Sequence, residues 1–192
     1  MNISKLTDFK WINIYKATWT DKKNKLKEWF FASGKNPEEQ IRSRKASSVC
    51  IIPIIQEKGS PDKIVITKEY RAPVDGYEYG MPAGIIEDNE PMLDAVKREL
   101  FEETGLELTK IHSISPPVFT GAHGGPGMTC YCFVYCKGTL SNEHQEEDEE
   151  IESFALTFEE IKDFISSGEK YFGSRTWLIV DAILKRGKIS FE

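Results

Sequence analysis

Apolar and polar positions alternate along this chain in short extended runs that give way to helical spacing in three places. Trp11 to Trp19 and Lys25 to Ala32 are rich in aromatic residues and are separated by the polar turn Thr20 to Asn24, a pattern that predicts an N-terminal antiparallel hairpin. Asn36 to Lys45 is polar and reads as a linker. Ser47 to Gln56 and Lys63 to Tyr70 are apolar and predict two strands, joined by the loop Glu57 to Asp62 with its Gly59 and Pro61. Ile111 to Phe119 and Met128 to Lys137 predict two more, on either side of the glycine-rich Gly121 to Gly127. Phe154 to Leu156 reads as a short strand, after which Thr157 and Glu160 form a capping box at the start of a helix. A last amphipathic helix is predicted over Arg175 to Arg186, stopped by Gly187.

The third helical segment lies between the two pairs of strands. Met92, Ala95, Val96 and Leu100 recur at three- and four-residue spacing, which predicts a helix from about Pro91 to Thr104 with one apolar stripe. Pro91 suits a first turn, Asn89 or Glu90 is placed to cap, and Gly105 stands where the helix needs a left-handed residue. Strands interleaved with helices make this an α/β chain. No internal repeat is evident.

On the face beside that stripe, Glu99, Glu102 and Glu103 are spaced i, i+3 and i+4, so their carboxylates are neighbours. Like charges at this spacing repel, and no lysine is interleaved among them to relieve the repulsion. The face therefore calls for a counter-cation, and a divalent metal is the natural candidate. An ordinary solvated acidic helix explains neither the flanking glycines nor their distance from the acids.

Length and charge narrow the setting. With 192 residues and 40% hydrophobic content, the chain can bury one sizeable core. A net charge of −6 argues against a nucleic-acid partner, and no apolar run is long enough to span a membrane or serve as a signal sequence. Cys50, Cys130, Cys132 and Cys136 do not have zinc-site spacing, and Cys130 and Cys132 alternate with aromatics in a strand-like run. They read as buried, reduced thiols, which points to the cytoplasm.

From Gly84 to Leu106 the chain places Gly84, Glu90, Arg98, Glu99, Leu100, Glu102, Glu103, Gly105 and Leu106 at the spacing of the Nudix box. If each of its seven fixed residue types occurs at roughly one position in fifteen, chance supplies such a match about once in 10^8 windows. The stretch resembles the Nudix hydrolases, with every position of the box filled. The resemblance implies an α/β/α sandwich with a mixed sheet, and hydrolysis of a nucleoside diphosphate linked to a further moiety, with Mg2+ or its substitute Mn2+ as cofactor. It implies that Glu99 and Glu103 are the principal metal ligands and Glu102 a further ligand or a helper to the base. Arg98 is expected to orient them by ion pairing, and Gly84 with the carbonyl of Ala83 to complete the metal's shell. Hard oxygen donors of this kind suit Mg2+, which reaches substrate through a few carboxylates, phosphate oxygens and water.

The flanks of the box are similar to the ADP-ribose pyrophosphatase branch of that family. They comprise Tyr70-Arg71-Ala72-Pro73-Val74 and the lead-in Met81-Pro82-Ala83-Gly84. Arg71, beside a proline-stiffened loop, can present a guanidinium fork to a phosphate or pair with a nearby acid. The branch implies that residues 1–45 form a hairpin and linker exchanged between the subunits of a homodimer, ahead of a hydrolase domain at 46–192. It also implies that an aromatic of the hairpin stacks on adenine. Trp29 is the best match, with a place in the core or a dimer contact as its alternative.

Two departures bear on the distal group. Gly80 stands where the branch carries a glutamate, with Glu78 displaced by two positions on the same face of a strand. The segment Thr120 to Gly127 looks like a lengthened Ser-Pro-Gly loop, which makes Pro126 a substrate-binding candidate and brings His123 into consideration. The acidic run Glu143 to Glu152 should be mostly solvated, yet the branch brings one loop glutamate to the metals as ligand or base. Glu150 is the nearest positional match, with Glu147 and Glu149 as alternatives. The expected reaction is cleavage of ADP-ribose or a related nucleoside diphosphate sugar. The alternatives are a dinucleotide or nucleoside triphosphate substrate, or a nucleotide sensor without catalysis.

Overall fold

A computed structural model describes residues 1–121, 125–145 and 149–191. It divides into two compact units, residues 1–48 with 116–130 and residues 49–115 with 131–192. No helix among the described residues is long and apolar enough to cross a membrane.

In the first unit, β1 (Asn2–Lys5), β2 (Asn13–Thr20) and β3 (Leu26–Ser33) form an antiparallel sheet in that order. The expected hairpin is present, and its turn is held by Asp21, whose carboxylate accepts the N–H groups of Lys23 and Lys25 at 2.8 and 3.0 Å. The linker expected at 36–45 is instead a short helix, α1 (Pro37–Ser43). Asn36 caps it, accepting the N–H groups of Glu38 and Glu39 at 3.0 and 3.3 Å, and Pro37 opens it. Its polarity concealed it, because Pro37 is the one residue it buries.

In the second unit, β4 (Ser48–Ile55), β5 (Lys63–Arg71), β6 (Gly76–Gly80), β7 (Ala83–Ile85), β8 (Glu107–Ile114), β10 (Met128–Lys137), β11 (Ile151–Leu156) and β12 (Tyr171–Phe172) build a mixed sheet. Its main path runs β12-β6-β5-β4-β10-β8, while β11 pairs with β5 and β7 with β4. β12 is parallel to β6, and β5 is antiparallel to β6 and β11. The strand expected from Ile111 to Phe119 is divided, because Pro116 and Pro117 cannot continue a ladder; β8 ends at Ile114, and the two-residue β9 (Val118–Phe119) pairs with the start of β10.

β4 is buried on both faces, which explains its unbroken apolar run. Cys50, Ile52 and Ile54 join one core with Ile161 of α3 (Phe158–Ser166) and Val180 of α4 (Ser174–Arg186). The alternate residues Val49 and Ile51 are equally buried, as are Ala95, Val96 and Leu100 of α2 (Met92–Thr104). Both expected C-terminal helices are present, α3 with its Thr157–Glu160 capping box and α4 ending at Gly187. All four cysteines are buried free thiols.

Candidate active site

The site is built on α2 and on the chain that enters β7. Pro91 itself holds the cap position of α2 in an extended conformation, and no side chain caps it. Neither Asn89 nor Glu90 acts as the expected cap. Asn89 is left-handed at φ 65°, and the Glu90 carboxylate accepts the N–H of Glu87 at 2.9 Å. Glu90 is in turn gripped by Arg98. At the other end Gly105 is left-handed at φ 72°, where a Cβ would also lie 2.8 Å from that of Ser141, so both backbone and space require glycine.

Ala95, Val96 and Leu100 anchor α2 in the core, and this draws Glu99 and Glu103 inward until only 7% and 5% of each remains exposed. Arg98 spans the acids as a fork. Its Nε and Nη2 donate to the two oxygens of Glu90 at 2.9 and 3.0 Å, and its Nη1 donates to Glu99 at 2.8 Å and Glu102 at 3.0 Å. Nη2 also donates to the carbonyl of Ile85 at 3.0 Å, tying β7 to the helix. The Ala83 N–H donates to the Glu103 carboxylate at 3.2 Å. One residue on, the α-carbon of Gly84 lies so near Glu99 that a Cβ there would fall 1.9 Å from its carboxylate. This contact accounts for the glycine that opens the box.

Burial disfavours the charged forms, raising Glu103 to about 9 and Glu99 to about 7. Arg98 partly offsets the effect at Glu99, as the Ala83 N–H does at Glu103. The neighbouring Glu149 adds its negative charge at both. Of the described acids in the run before β11, Glu149 is the one felt at the buried pair; it is half-buried, whereas Glu150 is exposed. Glu146, Glu147 and His123 lie outside the described residues.

Two buried carboxylates that resist ionisation, pressed against the backbone of Ala83 and Gly84, fit a hard divalent cation. Among the described residues no three His, Cys, Asp or Glu side chains are gathered into a ready-made cage. Such a site suits an ion that takes one or two carboxylates and fills its shell with backbone carbonyl, phosphate and water. Gly84→Ala is expected to displace the Glu99 carboxylate and weaken Mg2+ binding by roughly 10- to 100-fold, as removal of a ligand's supporting contact does. Titration calorimetry with Mg2+ measures this; unchanged affinity would mean that Glu99 does not hold the ion.

Beside Ala83 and Glu103 opens a polar cavity of about 90 Å³, lined also by Glu69, Arg71, Glu78 and Arg175. Arg71 bonds to Glu69 at 2.6 Å and to Glu78 at 3.2 Å. Gly80 and Glu78 both line this cavity, as strand alternation along β6 requires, so Glu78 reaches it despite its displacement. Sequence reasoning missed Glu69 and Arg175. Glu69 was open to discovery, standing two residues before Arg71 on the same strand, whereas nothing in the spacing marks Arg175.

The remaining two predicted residues belong to the other unit. Trp29 and Pro126 together line an apolar cavity of about 470 Å³ with Ile3, Trp19, Phe31 and Phe119. Trp29 is 41% exposed and so is not a core residue.

With this geometry established, comparison with known proteins decides the family. The family model for the NUDIX domain matches residues 44–175. The chain belongs to the Nudix hydrolase family. It is 32% identical over 176 residues to a Saccharomyces cerevisiae protein named ADP-ribose pyrophosphatase, covering 84% of this chain and 71% of that protein. It is 31% identical over 116 residues to a Mus musculus protein named ADP-sugar pyrophosphatase, covering 59% of this chain and 50% of that one. The crystal structure of an ADP compounds hydrolase superposes with a TM-score of 0.68, covering 98% of this chain and 95% of that chain at 12% identity, which shows a shared fold. The predicted α/β Nudix fold is thus the observed one, and the carboxylates on α2 are those of a Nudix box.

Proposed function

We propose that this Nudix hydrolase cleaves the pyrophosphate bond of ADP-ribose or a related nucleoside diphosphate sugar, with Mg2+ or Mn2+, giving AMP, or the corresponding nucleoside monophosphate, and a sugar phosphate. The observation that carries the reading is the pair Glu99 and Glu103, buried against the backbone of Ala83 and Gly84. The names borne by the yeast and mouse relatives support the substrate class. A bound Mg2+ would neutralise charge on the phosphates and acidify the attacking water.

The chain's own residues then have distinct tasks. Glu99, Glu103 and the carbonyl of Ala83 would hold the ion, with Glu102 as a further ligand, and Arg98 fixes the orientation of Glu99 and Glu102. Arg71 can exchange a carboxylate partner for a phosphate oxygen, keeping a charge-assisted fork in either state. Water adds to phosphorus as the bridging P–O bond breaks, and its proton passes to a loop carboxylate, Glu150 or Glu149. Glu149 has the stronger support, because its charge reaches both buried acids. Trp29 offers a flat face to the base, with Pro126 at the same cavity. The exposed Trp11, Leu26 and Phe30 support the hairpin as a homodimer contact, and the reduced thiols support a cytoplasmic location.

A product assay over ADP-ribose, other nucleoside diphosphate sugars, dinucleotides and triphosphates with Mg2+ tests the reading. AMP and ribose phosphate from ADP-ribose are expected, and no turnover on any diphosphate linkage would overturn it. In the same assay the Gln variant of the true base lowers kcat by roughly 10²- to 10⁴-fold with KM little changed. Glu149→Gln and Glu150→Gln, compared directly, identify which acid it is.

A further inference from the structure

The run Glu146 to Glu150 consists of five consecutive acids, and like charges so close in sequence repel one another, while Glu149 also sets its charge against the buried Glu99 and Glu103. An acid from it can serve the site only if the chain around it is held against that repulsion. The structure supplies the means on both sides of the run. The Ser141 N–H donates to the carbonyl of Thr104 at 3.0 Å, and the ring of His144 stacks on Phe101 of α2 with centroids 4.3 Å apart. On the far side, the Ser153 hydroxyl donates to the carbonyl of Glu103 at 2.9 Å.

Between these ties, one amide side chain joins the two sides. Gln145 Nε2 donates to the carbonyl of Ile151 at 2.6 Å, and the N–H of Ile151 donates to Gln145 Oε1 at 3.1 Å. A primary amide that takes both backbone groups of one residue imitates a β-ladder partner, and sets separation and orientation together. Gln145 is half-buried and Ile151 buried, so water competes poorly for these bonds. Glu149 stands two residues before Ile151.

We propose that Gln145 is a positioning residue for catalysis, its double bond to the Ile151 backbone holding the loop acid that acts as base over the acids of α2. The proposal rests on the assignment of that base to Glu149 or Glu150. The side chain touches neither substrate nor ion; its effect passes through the loop backbone. Phe101 and His144 brace the chain at residue 144, and Gln145 transmits the brace to the far side.

The test is steady-state kinetics of Gln145→Ala and Gln145→Glu on the diphosphate that the wild type cleaves fastest, with Mg2+, alongside thermal unfolding and hydrogen exchange of the Ile151 amide. Gln145→Ala should lower kcat by at least about tenfold, a fraction of a general base's effect, and leave KM within about twofold. Ile151 exchange should accelerate while the unfolding midpoint changes little. Gln145→Glu, which keeps the acceptor for the Ile151 N–H and loses the donor, should fall between wild type and Gln145→Ala, and serves if the alanine variant does not fold.

Unchanged kcat, or a kcat loss that merely follows a fallen midpoint, would overturn the proposal. So would a kcat loss in Gln145→Ala when neither Glu149→Gln nor Glu150→Gln shows one, since the clasp would then act other than through either of these two acids. A wild type without turnover on any diphosphate would instead reject the proposed activity. In that case the exchange of Ile151 still reports whether the clasp orders the loop, and unaltered exchange rejects it.

Discussion

Glu103→Gln should make the metal-free protein more stable at pH 8 and nearly abolish its turnover. The carboxyl is 5% exposed, and burial lifts it from 4.5 to about 9. A carboxyl whose pKa is higher in the folded than in the unfolded chain contributes stability fully below pH 4.5, and that contribution is lost as pH climbs towards 9. At pH 8 the folded protein therefore carries a cost on the order of 5 kcal/mol that a neutral amide lacks. The glutamine can still accept the Ala83 N–H, so the lead-in to β7 keeps its anchor. Each kcal/mol moves the midpoint of a chain this size by roughly 2–4 °C, so a rise of roughly 10 °C is expected.

Turnover moves the opposite way. In the proposed metal site Glu103→Gln removes a charged ligand oxygen, and the several kcal/mol that a bound ion would contribute to the transition state correspond to roughly 10³-fold in kcat. Melts of both proteins in chelator from pH 5 to 9, with kinetics in Mg2+, measure the two effects. The wild-type midpoint should fall across that range, and the variant's should fall less, retaining the smaller slope due to Glu99, which titrates near 7. A variant that is no more stable, or that keeps its turnover, would remove Glu103 from the metal site.

Arg98→Ala should cost both stability and activity, and Arg98→Lys should restore little of either. The guanidinium serves Glu90, Glu99, Glu102 and the Ile85 carbonyl at once, and the side chains of Glu99 and Glu90 are only 9% and 14% exposed. Removing one member of a buried ionic network leaves its partners charged and unpaired, at about 3–5 kcal/mol. Lysine keeps the charge but has no planar fork, and cannot meet Glu90 with two parallel bonds while reaching Glu99. The loss of orientation should lower kcat/KM by roughly 10- to 100-fold, the usual effect of a residue that aligns metal ligands. Saturating Mg2+ should recover part of the lost stability, because the ion replaces the guanidinium as counter-charge to Glu99. Denaturant melts with and without Mg2+ measure this, and a fully active Arg98→Lys would show that charge alone suffices.

The parts of the fold that were legible beforehand share one property: their signal is local. The capping box Thr157–Glu160, the stop at Gly187 and the apolar stripe of α2 each depend on residues within two turns of one another. α1 was missed although Asn36 and Pro37 mark its start, because it buries almost nothing and has no apolar stripe to reveal it. The single strand expected across Pro116 and Pro117 is divided because two residues without backbone donors interrupt an otherwise β-prone run. Asn89 or Glu90 is the cap that the spacing predicts for α2, but Asn89 is left-handed and Arg98 claims Glu90 from eight residues away.

By itself, the sequence determined the acids of α2, their common face, the arginine among them and the family to which they belong, since helical spacing converts residue order directly into neighbourhood. Only the tertiary structure decided how deeply Glu99 and Glu103 are buried and that Gly84 is needed for the room Glu99 occupies. It also decided that Arg71 and Arg175 share a cavity with Glu103, and that Gln145 clasps Ile151. Burial and proximity of this kind are set when β7, β5, β6 and the loop before β11 pack together, and residues far apart in the chain leave no mark of that meeting in the spacing of either one.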